Sequence, residues 1–61
     1  MIADDEREVY FEFIAIGHAV KVVAIDSVTA IEVSVMGPAS AAQADLKQLA
    51  LQKLKARLRR E

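Results

Sequence analysis

Few residues in this 61-residue chain could do chemistry, because it has no cysteine and a single histidine. The first candidate is a set of charges, Glu12, Lys21 and Glu32, which an alternating pattern places on one face of neighbouring strands. Two carboxylates held close together push their pKa values apart, and that is how a site obtains an acid and a base at one pH. No nucleophile, second histidine or glycine-rich cradle accompanies them. The simpler reading is preferred: a central lysine paired across the strands with a glutamate on each neighbour. His18, beside Gly17, is of the type that titrates near neutrality or ligates a metal across a dimer axis. A lone histidine in a turn is more simply a tolerated turn residue. With no thiolate available, a zinc site within one chain would have to lean on carboxylates.

Two further stretches invite an anion. Gly37-Pro38-Ala39-Ser40 leads into a predicted helix, whose first amides can hold a phosphate. It lacks the Gly-x-x-x-x-Gly-Lys-Ser/Thr spacing of a phosphate loop, and helix capping accounts for Ser40. The second stretch is basic. Residues 1–38 carry a net charge of −5 and residues 39–61 a net charge of +4. Lys55, Arg59 and Arg60 at the far end are the candidate anion contact. Cations at a helix C-terminus also answer the macrodipole, and the basic positions are scattered around the helical wheel rather than gathered on one face. Glu12 and Glu32 on the sheet would repel phosphates. A nucleic-acid partner is therefore the second choice. No catalytic residue, cofactor or metal is predicted.

The elements that must position these residues are readable from periodicity. Residues 8–16 alternate, with Val9, Phe11, Phe13 and Ala15 on one side and Tyr10, Glu12, Ile14 and Ile16 on the other. Gly17-His18 makes a tight connection. Residues 19–25 are almost wholly apolar and rich in valine, which suits a central strand. Asp26 to Thr29 reads as a turn, since Asp and Ser can bond nearby backbone. A third strand follows over residues 30–36, and Gly37-Pro38 ends it. From Ser40, with Gln43 completing a capping box, no glycine or proline interrupts a helix over residues 40–60. Residues 1–7 read as a disordered polar start. The expectation is one α+β domain over residues 1–61, a three-stranded antiparallel meander (residues 8–36) with a C-terminal helix packed on one face, in the order βββα.

A chain this short buries only about 60% of its unfolded surface, so a lone core is marginal. This one is nonetheless 54% hydrophobic. Ala42, Leu46, Leu49, Ala50, Leu54 and Leu58 form an apolar stripe that Leu51 widens to an arc of about 200° by the wheel. The sheet face turned away from the helix carries Ile14, Ile16, Val23, Ile25 and Met36 beside its polar residues. A solvated face should be mostly polar. The predicted interface of a homo-oligomer is thus Ile14, Ile16, Val23, Ile25, Met36, Leu51 and Leu58. No apolar run approaches the roughly 20 residues of a membrane span, and the acidic start differs from a signal peptide. A cytoplasmic protein with no membrane partner is expected.

The segments Val9-Tyr-Phe-Glu-Phe13, Gly17, Val20-Lys-Val22, Ala24-Ile-Asp26, Thr29, Glu32-Val33, Gly37-Pro-Ala39, Leu46, Leu49-Ala50 and Lys53-Leu54 resemble a family of short uncharacterised alphaproteobacterial proteins. The resemblance covers the chain from Val9 to Leu58 and implies no activity. In that family a glycine usually follows the threonine of the second turn. Here Ala30 stands there, which argues against a tight positive-φ turn. The functional expectation is a small non-enzymatic interaction or assembly module that self-associates. The alternative is a nucleic-acid-binding accessory protein using its basic helix end.

Overall fold

The computed structural model describes residues 7–60. Strands β1 (Val9–Ile16), β2 (Ala19–Asp26) and β3 (Glu32–Pro38) form one antiparallel sheet in the order β1-β2-β3, and helix α1 (Gln43–Arg59) crosses one side of it. This is the expected βββα meander. Gly17, at φ 59°, opens the two-residue turn between Ile16 and Ala19, a conformation that costs glycine nothing.

The core lies between the sheet and α1. Val22, Ala24 and Val33 meet Leu46, Ala50 and Leu54, with Val9, Phe11, Val20, Val35, Ala41 and Leu58 packed around them. Ala24 and Ala50 are both fully buried, so small residues on strand and helix let the two backbones approach closely. The helix packs chiefly on β2 and β3. On the β1 side Val9 and Phe11 pack against this core, and Lys47 Nζ lies 4.9 Å from the centre of the Phe11 ring. Phe13, expected in the core, is consequently 36% exposed.

Three boundaries differ from the sequence reading, each for a local reason. Strand β3 runs on through Gly37 and Pro38, pairing with Val20 and Ala19. Pro38 is tolerated because its nitrogen faces away from β2, where no ladder bond is lost. The chain then turns, with Ala41 N–H donating to the Pro38 carbonyl at 3.0 Å. That turn uses up the residues assigned to a cap. The helix starts at Gln43, with Ala42 at the N-cap and no side-chain capping bond, so the Ser40–Gln43 box does not form. A hydrophobic staple takes its place: Ala41, just before the cap, joins the core cluster of Leu46 in the helix. The third difference is the start of β3, at Glu32 rather than residue 30, because Ala30 still belongs to the turn and adopts φ 64° despite its Cβ. Its amide donates to the Asp26 carbonyl at 2.8 Å, so the positive-φ turn that alanine argued against does form.

Residues 1–6 of the segment expected to be disordered lie outside the described residues. Arg7, its last member, is held in an ion pair taken up below.

Candidate functional site

The uncovered side of the sheet is organised in four rows across β1, β2 and β3. These are Tyr10–Ile25–Glu32, Glu12–Val23–Ser34, Ile14–Lys21–Met36 and Ile16–Ala19–Pro38. Each charge therefore faces an apolar neighbour. Glu12 stands opposite Val23, Lys21 lies between Ile14 and Met36, and Glu32 is opposite Ile25. The cross-strand ion pairs expected of Glu12, Lys21 and Glu32 do not follow from this register. Lys21 is only diagonal to Glu12, and it is two rows from Glu32, roughly 13 Å of strand. Tyr10 donates its hydroxyl to Glu8 Oε1 at 2.8 Å, and that bond raises its pKa above the usual 10.0. Of the interface residues predicted on this face, Ile16 and Met36 are about half exposed at 49% and 57%. Ile14 and Ile25 are half-buried, and Val23 is buried as the floor of the face.

The helix residues divide differently. Leu58 is drawn into the chain's own core and Leu51 is half-buried, whereas Leu49, expected in the buried stripe, is 53% exposed. The helix is displaced toward β3, which turns Leu49 outward and brings Leu58 in. The spare apolar surface thus lies on the sheet more than on the helix end.

The most heavily bonded side chain is one that the sequence offered only as a turn former. Asp26 is fully buried. Its Oδ2 accepts from the Thr29 amide and hydroxyl, each at 2.8 Å, and its Oδ1 lies 2.9 Å from Arg7 Nε. Burial pushes the Asp26 pKa up, but the Thr29 donors and the Arg7 charge outweigh it and leave the value below the usual 3.8. Alongside, the Glu8 amide donates to Ser27 Oγ and the Ser27 amide donates to the Glu8 carbonyl, both at 2.9 Å. The second turn and the start of β1 are thus clasped together.

Residues 6–61 match the family model described as Domain of unknown function (DUF6898). The chain belongs to this family. No curated protein and no solved structure matches it. The family match spans all three strands and the helix, so the uncovered face and the Asp26 clasp both lie within the DUF6898 region.

Two further hollows in that region bring basic side chains together. Lys53 and Arg57 of α1 meet Lys21, Glu32 and Ser34 in a cleft of about 260 Å³ at the β3 side. Lys55 and Arg59 line an open groove of about 330 Å³ with Arg7 and Leu58. Of the predicted anion contacts, Lys55 and Arg59 are therefore brought together and Arg60 is not, being the C-cap residue. Arg7 takes its place, although periodicity had put it in a loose terminus. Its charge is balanced by Asp26 at 2.9 Å, and among the described residues no carboxylate lines the groove beside Lys55 and Arg59. His18 is exposed in its turn, where its carbonyl accepts from the Ala39 amide at 2.8 Å. Among the described residues, no group of three His, Cys, Asp or Glu is placed to hold a metal ion, and no helix is long and apolar enough to cross a membrane.

Proposed function

We propose that this chain is a small non-enzymatic assembly module whose copies associate through the sheet surface that α1 leaves uncovered. The observation that carries this is the row structure of that surface. Ile14, Ile16 and Met36 stand at one end of it beside Ala19 and Pro38, with Lys21 between Ile14 and Met36, and among the described residues no element packs over them. An exposed apolar patch on so small a domain is a binding surface by its energetics, and a symmetric homo-oligomer is the simplest way to cover it. The alphaproteobacterial setting proposed with it rests on the sequence resemblance, and the cytoplasmic one on the lack of an apolar run of membrane-spanning length. Sedimentation at micromolar concentration should give a mass of at least two chains. Ile16→Glu with Met36→Glu should return it to one chain with little loss of Tm, since both side chains already meet solvent. A wild-type mass of one chain rejects the reading.

A second reading has one observation in its favour, the grouping of Arg7, Lys55 and Arg59 around Leu58. Here the chain contacts a nucleic-acid backbone through its helix end. Retention on heparin or duplex DNA that falls steeply with salt supports this reading, and retention unchanged by Lys55→Gln with Arg59→Gln rejects it.

A further inference from the structure

The two outer strands of the sheet are not equivalent as edges. Antiparallel ladders alternate, so along an edge strand every second residue turns its N–H and C=O away from the sheet. The bonded pairs fix which ones. Glu8 exchanges backbone contact with Ser27 and Asp26 with Ile31, so even-numbered residues of β1 face β2 and odd-numbered residues of β3 face β2. The outward groups of β1 are therefore those of Val9, Phe11, Phe13 and Ala15. On β3 they are those of Glu32, Ser34 and Met36, and then Pro38, which has no N–H to offer.

On β3 this outward row is guarded. Lys53 Nζ donates to the Ser34 carbonyl at 2.7 Å, and a lysine or proline at an edge is a recognised obstacle to another strand. Strand β1 has no such guard. Over eight residues it contains no proline, lysine or arginine, and its one charge is Glu12. Among the described residues, no side chain bonds to its outward backbone groups. It also carries three of the six large hydrophobic side chains that stand most exposed among the described residues, Tyr10 at 56%, Phe13 at 36% and Ile16 at 49%.

We infer that two copies of this chain join edge to edge along β1, antiparallel about a two-fold axis at Phe13, to make one six-stranded sheet. This rests on the reading of the chain as a self-associating module, but places the joint at the β1 edge instead of on the uncovered face. The register follows from three requirements. Odd residues must face odd ones, so that outward groups meet. Glu12 must not stand opposite Glu12 of the second copy, where like charges repel. The overlap should be as long as the strand allows. Pairing Phe13 with itself meets all three. It sets Phe11 opposite Ala15, Glu12 opposite Ile14 and Tyr10 opposite Ile16 of the second copy. Each exposed side chain of the strand then gains an apolar neighbour, and the bare patch at Ile14 and Ile16 continues across the seam.

The native chain has no cysteine, which makes a single introduced thiol an unambiguous reporter. Directly opposed residues of a bonded antiparallel pair have Cα atoms about 5.5 Å apart, inside the range of roughly 4.4–6.8 Å that a disulfide spans. Phe13→Cys should therefore crosslink to a covalent dimer under mild oxidation, whereas Met36→Cys, on the far strand, should not. In the wild-type dimer the Phe11, Phe13 and Ala15 amides should exchange about 10-fold or more slowly than at dilutions where the chain is monomeric. Efficient Met36→Cys crosslinking without Phe13→Cys crosslinking overturns the edge pairing and leaves face-to-face association standing. A wild-type dimer in which those three amides exchange at the dilute rate does the same, without relying on a variant's fold. A chain that is monomeric at every concentration overturns both.

Discussion

Strands β1 and β3 flank the same central strand, yet one is exposed and the other enclosed. The row Ala15–Val20–Gly37 shows the contrast at a single level of the sheet. At its β1 end Ala15 is exposed. At its β3 end a Cβ on Gly37 would sit 2.5 Å from Leu46 Cδ2, because the first turns of α1 press on that strand. The asymmetry comes from where a short helix can lie. Ala24 and Ala50 draw it over β2 and β3, and one helix is not wide enough to cover a third strand as well. Beyond its ladder to β2 and the packing of Val9 and Phe11 on the core, β1 is held at its start by Arg7–Asp26 and Glu8–Ser27. One edge strand lies mainly under the helix, the other relies more on a polar clasp at its tip.

Substitutions can test that division, and the clasp should be the most sensitive point. Asp26→Ala removes the partner of Arg7 and the acceptor of both the Thr29 amide and hydroxyl, three contacts to one buried carboxylate. Calorimetry should show Tm falling by roughly 10 °C or more, with β1 amides losing protection before those of β3. Equal loss on both strands would erase the contrast. Acid should act on the same point. The Asp26 pKa is lower folded than unfolded, so its stabilising effect is complete above the usual value of 3.8. It is lost as pH falls through the lower folded value. Circular dichroism against pH should therefore show unfolding setting in below that range, and Asp26→Asn should flatten this part of the curve.

On the enclosed strand, Gly37→Ala should cost about 1–3 kcal/mol by overpacking Leu46, which is only 4% exposed. Ala15→Ser, in the same row on the bare strand, should stay within about 0.5 kcal/mol in denaturant titration. Comparable costs would mean that α1 covers both edges. Ala30→Gly should raise stability by about 0.5–1 kcal/mol, since φ 64° strains an alanine and suits glycine. The smallest change in stability, within about 0.5 kcal/mol, is expected of Lys53→Ala. Its consequence should show in light scattering instead, which should rise with concentration as the β3 edge opens.

Much of this architecture was legible in the sequence, because strand periodicity and helix propensity act locally. Alternation over β1 and the valine-rich β2 gave the strands, their faces and the meander. The errors arose where a distant neighbour decided the outcome. Gly37-Pro38 read as a strand end, but an edge position excuses a missing N–H, so β3 ran on and displaced the helix start by three residues from Ser40 to Gln43. Glu12, Lys21 and Glu32 shared a face as expected, yet only the register could show that none stands opposite another. Asp26 looked like an ordinary turn residue. Its burial depends on Arg7 arriving from the other end of the hairpin, and nothing near Asp26 in the sequence announces that. Leu49 and Leu58 both fit one stripe on the wheel, and the helix's lateral shift, set by two alanines, decided which faced water. The sheet's spare apolar surface was visible from composition; the inequality of its edges was not, because it turns on where α1 lies and on the Lys53 bond to Ser34.

That bond also bears on how large an assembly can grow. If β1 of one copy could join β3 of the next, each addition would leave a fresh acceptor and the result would be a filament without end. A lysine seated on the Ser34 carbonyl obstructs that route, and under the pairing proposed above the like-with-like joint uses itself up at the first encounter. On that proposal Lys53, with Pro38 beyond it, separates a finite particle from an open polymer.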